Sequence, residues 1–327
     1  WAKFSLEHSL LRNKTIKEMS FPFPEYRKGQ RKLAAAVYKA IRDKKLLFAQ
    51  APTGTGKTIS TLFPAVKAMG EGLGEKIFYL TAKTVTRQVA EHAIQIMMEY
   101  GLAFKSITLT AKEKICFCES VVCQPDECPY ARGHYDRVNV AVMDIITNEN
   151  LITRDILEKY AKKHSVCPFE YGLDISLWVD CIICDYNYVF DPRSYLRRFF
   201  ECNGDYVFLI DEAHNLVERA REMYSAELSK QAFMKHKKTL KVLIPKAYRQ
   251  FTKINKLFID MRKKIEQKCG MLTVEMPSDL SRHVEKFVDA FDDYLAKNRQ
   301  AKLDDDLMNL YFNCKAFISI YNLYDER

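Results

Sequence analysis

Three groups of residues in this chain have types and spacings that do chemistry. The first is Ala51-Pro52-Thr53-Gly54-Thr55-Gly56-Lys57-Thr58. The apolar run Leu46-Leu47-Phe48-Ala49 before it predicts a short buried strand over 45–52, and Ile59 to Met69 after it predicts a helix. That is the setting a P-loop requires. Backbone N–H groups of a glycine-bearing turn at the positive end of a helix cradle phosphates. Thr53, Gly54, Thr55 and Gly56 would form the cradle, Lys57 would reach the β- and γ-phosphates, and Thr58 would give its hydroxyl to Mg²⁺. Ala51 stands where the general pattern has glycine, and it is small enough for a tight turn. The bland alternative, a Gly/Thr-rich loop with a chance lysine, does not account for the strand–loop–helix setting.

The second group is Asp211-Glu212-Ala213-His214, at the end of the apolar run Tyr206-Val207-Phe208-Leu209-Ile210. A buried strand ending in two carboxylates is the Walker B arrangement. Asp211 would hold Mg²⁺, and Glu212 would orient and deprotonate the attacking water. Phosphoryl transfer needs mainly positioning and charge neutralisation. His214 could couple nucleotide state to a neighbouring domain. Taken alone, this stretch is equally a strand followed by an acidic helix start; the upstream loop gives it meaning.

The third group is cysteine. Eight of the ten cysteines lie between Cys116 and Cys202. A secreted disulfide scaffold would be short and Cys-dense throughout. This chain has 327 residues and no signal-peptide hydrophobic block, so a cytoplasmic protein with one Cys-rich metal site is expected. Cys116, Cys123, Cys128 and Cys167 are separated by six, four and 38 residues. Structural zinc sites usually pair ligands more closely, and four thiolates suit a 4Fe–4S cluster equally well. Spacing leaves the two open. Cys181 and Cys184 tempt as a pair, but they sit in an apolar run where cysteine is often a small buried hydrophobe.

The elements that must position these groups alternate between strand and helix. Gln30 to Arg42 and Val85 to Tyr100 have helical spacing, Lys76-Ile77-Phe78-Tyr79-Leu80 reads as a strand, and Val179 to Val189 is strand-like. Such alternation means βαβ units and a parallel sheet. Residues 1–24 read as an entry segment whose prolines argue against helix near Phe21-Pro22-Phe23-Pro24. Lys57 and Asp211 are 154 positions apart, more than a few βαβ units occupy, so roughly 110–178 is a candidate insertion. After about Glu218 the pattern is helical, with breaks at Pro245 and Pro277.

The loop and DEAH together resemble the superfamily 2 helicases of the XPD/DinG branch. Tyr26-Arg27-Lys28-Gly29-Gln30 is similar to an adenine-reading Q-type motif, in which Gln30 would contact the base. Tyr79-Leu80-Thr81-Ala82-Lys83-Thr84 is similar to motif Ia, placing Thr81, Lys83 and Thr84 along DNA. Cys184 to Pro192 resembles the segment that precedes motif II. The likeness runs from about residue 21 to 225.

The resemblance implies an α/β fold: a RecA-like P-loop parallel sheet with an inserted iron–sulfur domain and an all-helical arch-like C-terminal segment. The implied divisions are 1–20 entry, 21–109 and 179–222 motor domain, 110–178 cluster insertion, and 223–327 incomplete arch. It decides for the 4Fe–4S cluster, with Cys116, Cys123, Cys128 and Cys167 as ligands and Cys118 as the rival for first place. It implies ATP and Mg²⁺ as cofactors and ATP-driven 5′–3′ translocation on single-stranded or forked DNA. It also implies a second RecA-like domain bearing an arginine that completes the ATP site. No such motif follows His214, so this chain is expected to be a poorly active fragment of a longer protein.

Charge sharpens the partner. The net charge is +9, yet residues 228–270 alone hold 13 Lys and Arg against Asp260 and Glu266. The rest of the chain is slightly acidic. Basic helices carrying Phe233, Tyr248, Phe251 and Phe258 could track a phosphate backbone; the alternative is a solvated face with the aromatics in a core. No apolar run approaches a membrane span. The rival functional readings are a zinc-stabilised, nucleotide-gated nucleic-acid clamp that does not unwind, and an RNA-directed helicase.

Overall fold

The computed structural model describes residues 1–52, 54–119, 121, 123–202, 204–265, 277–298 and 303–324. The chain divides into two compact units, one of residues 1–189 and 196–216, the other of 190–195 and 217–327.

The first unit is built on a parallel sheet. Its strands are β1 (Lys76–Leu80), β2 (Ser106–Thr108), β3 (Leu151–Ile152), β4 (Cys181–Cys184) and β5 (Tyr206–Ile210), in the order β3-β2-β4-β1-β5. Its helices are α1 (Ala2–Glu18), α2 (Gln30–Arg42), α3 (Lys57–Gly70), α4 (Thr84–Glu99), α5 (Lys112–Ile115), α6 (His134–Asn148), α7 (Arg154–His164), α8 (Pro168–Ile175), α9 (Asn187–Phe190) and α10 (Arg197–Phe200). The β1, β4 and β5 side chains Ile77, Tyr79, Cys181, Ile183, Val207 and Leu209 share one apolar core with α3 and α4. That alternation buries both faces of the central strands, as parallel sheets require. Cys181 and Cys184 are fully buried in β4.

Two expectations are corrected. Residues 45–52 form no strand: Leu46 and Phe48 are 92% and 90% exposed. Apolar composition favours a strand only where a ladder partner is in register, and among the described residues β5 is paired with β1 alone, leaving Phe208 41% exposed. The segment nonetheless starts beside β5, since Lys44 Nζ lies 3.0 Å from Asp205 Oδ1. As expected, Phe21-Pro22-Phe23-Pro24 is not helical; the entry segment before it forms α1, which the sequence reading did not assign. Ile16 of α1 lies against Gly70, and Lys67 donates to the Ile16 and Lys17 carbonyls. The strand-like run 179–189 is strand only over β4, then turns into α9. The 110–178 stretch is mainly helical, and it lends β3 to the sheet beside β2.

The second unit contains α12 (Lys230–Lys235), α13 (Lys237–Leu243), α14 (Pro245–Ile265), α15 (Ser278–Lys297) and α16 (Asp305–Tyr321). The chain passes into it through α11 (Asn215–Met223). Pro245 opens α14 and Pro277 precedes α15, as the sequence predicts. Phe233 and Phe251 are buried in its core with Phe287 and Phe291, and Tyr248 and Phe258 pack against that core. The aromatics are therefore core, not a stacking surface. Lys246, Arg249, Lys253 and Lys256 are exposed along α14 at helical spacing.

Candidate active site

The phosphate-binding loop turns at two glycines with left-handed backbone, Gly54 at φ +78 and Gly56 at φ +72. A Cβ on Gly56 would also lie 2.3 Å from Gln30 Nε2 and push that amide off the loop, and the left-handed backbone itself favours glycine there. Gln30, 5% exposed, donates to the Gly56 carbonyl at 3.4 Å and accepts from the Arg27 N–H at 2.8 Å. Arg27 Nη1 donates to the Gly54 carbonyl at 2.9 Å. The Q-type segment thus braces the loop. Thr55 closes the turn onto the Pro52 carbonyl at 2.9 Å. Thr53 lies outside the described residues. Lys57 and Thr58 fall in the first turn of α3, whose free N–H groups and positive end favour an anion.

Strand register brings the acidic turn to this loop. β5 runs parallel to β1 with Leu80 opposite Ile210, and the Asp211 N–H donates to the Leu80 carbonyl at 2.9 Å. Lys57 Nζ then lies 3.1 Å from Glu212 Oε1. The Lys57 hydrogen bond holds the Glu212 carboxyl below its usual value, whereas burial pushes Asp211 up. Tyr79, 2% exposed, lies within electrostatic reach of Asp211. Glu212 itself is left-handed, at φ +50, a conformation costing about 1–3 kcal/mol unless surroundings hold it. They do: the Glu212 carbonyl accepts from Tyr186 Oη at 3.2 Å and from Asn215 Nδ2 at 3.1 Å, and Tyr186 also donates to the Asp211 carbonyl. His214 Nδ1 stands 3.5 Å from Glu212 Oε2 on an exposed ring.

Of the motif Ia residues, Thr81 is buried and its hydroxyl shares a hydrogen bond with Thr86, while Lys83 and Thr84 are exposed where α4 begins. Sequence reading missed Arg27, Tyr79 and Tyr186 as members of the site. All three lie inside stretches that were singled out, but nothing in a motif says which side chains turn inward.

The cysteines form two groups. Cys118 Sγ is 3.8 Å from Cys128 Sγ, and the Cys118 thiol is pushed up to about 11, first by desolvation and then by Cys128 and Cys116. Lys112 lies within electrostatic reach of Cys123 and Cys167. The Cys167 N–H donates to His134 Nδ1 at 3.2 Å. Among the described residues, no three His, Cys, Asp or Glu side chains are already set around one metal ion. The donor set still fits, because five thiols of one lobe supply the soft ligands that a cluster takes.

A glycine-turned phosphate loop facing two carboxylates on a parallel sheet defines a RecA-like nucleotide-binding domain. The comparisons carry this further. Residues 81–233 match the DEAD_2 family. The XPD helicase subunit of transcription and DNA repair factor IIH from Schizosaccharomyces pombe is 24% identical over 254 residues, 67% of this chain and 32% of that protein. The regulator of telomere elongation helicase 1 homolog of Caenorhabditis elegans is 26% identical over 257 residues, 64% of this chain and 25% of that protein. A solved XPD helicase has a TM-score of 0.53 at 19% identity, covering 92% of this chain and 51% of that one. A solved truncated XPD also has a TM-score of 0.53 at 19% identity, covering 89% and 82%. In sequence and fold the chain resembles the XPD/DinG-like helicases of superfamily 2. It spans about a quarter to a third of the length of these two curated relatives. Among the described residues no helix is long and apolar enough to cross a membrane.

Proposed function

We propose that this chain is the ATP-binding motor half of an iron–sulfur DNA helicase that moves 5′ to 3′ on single-stranded or forked DNA. The observation that carries the reading is the convergence of the phosphate-loop cation Lys57 with Glu212, 3.1 Å apart at one end of the sheet. Lys57 and the loop N–H groups, with Thr53, Gly54, Thr55 and Gly56, would bind the phosphates. Gln30 would face the base. Thr58 and Asp211 offer the hard oxygen ligands that Mg²⁺ takes, and Mg²⁺ would neutralise phosphate charge. Glu212 would orient the attacking water and accept its proton once nucleotide draws Lys57 away.

Residues 21–109 and 179–222 would form the motor domain, 110–178 the cluster insertion and 223–327 part of the arch. Cys116, Cys123, Cys128 and Cys167 would hold the 4Fe–4S cluster. Thr81, Lys83 and Thr84 are assigned to the DNA strand, with the burial of Thr81 leaving direct contact to Lys83 and Thr84. A second RecA-like domain would supply the arginine worth about 10³–10⁵ in rate, so this chain alone should hydrolyse ATP poorly.

The test is strand separation of forked DNA and of duplex RNA by the longer protein containing this chain, with its iron, sulfide and zinc content. ATP-dependent opening of DNA by a brown protein supports the reading. DNA binding without strand separation, by a colourless zinc protein, overturns it.

A further inference from the structure

Glu212 is one of three residues other than glycine whose backbone is left-handed among the described residues. The other two, Lys44 and Ser165, stand just past the ends of α2 and α7, where a left-handed residue commonly closes a helix. Glu212 ends no helix: β5 stops at Ile210 and α11 begins only at Asn215. Its carbonyl accepts from the Asn215 N–H at 2.9 Å, from Asn215 Nδ2 at 3.1 Å and from Tyr186 Oη at 3.2 Å. Tyr186 also donates to the Asp211 carbonyl. Those two carbonyls lie in the peptide planes on either side of the Glu212 Cα, and the angle between such planes is set by φ and ψ of the residue between them. A single hydroxyl that spans both therefore fixes the two dihedrals of Glu212. Tyr186 is 0% exposed, just past the end of β4. Phenylalanine would fill that space without a hydroxyl to bury, so what the oxygen adds is its hold on the turn.

We propose that Tyr186 is a positioning residue that holds Glu212 left-handed and so aims its carboxylate at the phosphate loop. The inference rests on the reading of Glu212 as the base, given above. The Cα–Cβ bond turns with the backbone. A Glu212 relaxed toward the right-handed or extended regions, which L-residues prefer, would carry its carboxylate away from Lys57 Nζ, which stands 3.1 Å from it. The two Asn215 donors belong to the same turn and would move with it. Tyr186 lies 26 positions back, on a segment anchored by another strand: β4 pairs with β1, and β1 with β5. It holds the turn from outside.

The test is Tyr186→Phe, which keeps the ring and removes the hydroxyl, made in the longer protein alone and together with Glu212→Gln. Single-turnover ATP hydrolysis and equilibrium MgATP binding are measured for wild type, both single variants and the double variant. The expected result for Tyr186→Phe is hydrolysis slowed on the order of 100-fold, the cost of misplacing a reacting group by about 1 Å, with MgATP affinity unchanged. Added to Glu212→Gln, it should slow hydrolysis no further, because residues that act through one carboxylate are not additive. A tyrosine that only fills the core would cost the same whether position 212 holds Glu or Gln. Tyr186→Met, an adaptable filler also lacking the hydroxyl, takes its place in the cycle if the Phe variant does not fold. An unchanged rate in Tyr186→Phe, or an equal loss in both backgrounds, overturns the role of Tyr186 alone. A Glu212→Gln protein that hydrolyses ATP as fast as wild type overturns the reading of Glu212 as base and this role with it.

Discussion

Lys57 Nζ stands 3.1 Å from Glu212 Oε1, so the cation assigned to the phosphates is paired with the carboxylate assigned to the water. Nucleotide must compete for Lys57, and when it wins, Glu212 is released for its role. Glu212→Gln should therefore keep MgATP binding, and in the longer protein lower turnover by about 10²–10⁴-fold, the usual contribution of a positioned general base. Equilibrium binding beside single-turnover hydrolysis checks this; unchanged hydrolysis would remove Glu212 as base. Lys57→Ala should lose nucleotide binding itself.

The cysteine lobe makes a spectroscopic prediction. Cys118 touches Cys128 but is the extra thiol in the assignment. Cys167→Ser should lose the visible absorbance and the four-iron stoichiometry while keeping the melting transition of the motor domain. Cys118→Ser should keep both. A cluster lost in Cys118→Ser and retained in Cys116→Ser would exchange the two.

The anchor of α1 gives a pH prediction. Asp180, 4% exposed, accepts from Arg12 Nη1 at 2.7 Å and from the Lys105 N–H at 2.8 Å, and pairs with His8 Nε2 at 2.7 Å; Lys76 and Lys105 also face it electrostatically. Burial raises its carboxyl, but these partners outweigh burial and hold it below the usual carboxylate value. A group whose pKa is depressed on folding stabilises the fold above its unfolded pKa, about 3.9 for Asp, and loses that contribution as pH falls through the folded value. Asp180→Asn should lower the melting temperature at pH 7, and its deficit should shrink below about pH 4. Arg12→Ala should cost about 3–5 kcal/mol, because it leaves a buried charge short of a partner. Equal melting curves for wild type and Asp180→Asn at pH 7 would contradict both.

The exposed bases of α14 make an ionic-strength prediction. Lys253 and Lys256 lie one helical turn apart on the outer face. If this face follows a phosphate backbone, Lys253→Glu with Lys256→Glu should weaken binding of single-stranded DNA. Each lost phosphate contact should also flatten the salt dependence by roughly 0.7 in log–log slope. Fluorescence anisotropy at several salt concentrations measures it, and an unaltered slope would return these lysines to plain solvation.

Sequence periodicity located β1, β5 and α2 at their observed bounds, because their apolar patterns meet the core where they stand. It failed at 45–52, where Leu46 and Phe48 are apolar yet exposed, since strand formation depends on a partner edge that composition does not reveal. It assigned nothing at α1, because the groups that hold that helix, Asp180 above all, are 168 and 172 positions away from Arg12 and His8.

The sequence by itself determined the chemistry this protein can do. Gly54, Gly56, Lys57 and Thr58 are contiguous, as are Asp211 and Glu212, and each short stretch carries its meaning in its residue types. Only the tertiary structure decided which groups meet. Parallel register sets Leu80 opposite Ile210 and so places the acidic turn at the end of the sheet where Lys57 meets Glu212. Chain packing draws Cys118 onto Cys128 and seats the Tyr186 hydroxyl under the left-handed Glu212. The physical reason is one of range: a motif is set by bonded neighbours, whereas the orientation of its side chains is set by residues that folding brings from elsewhere in the chain.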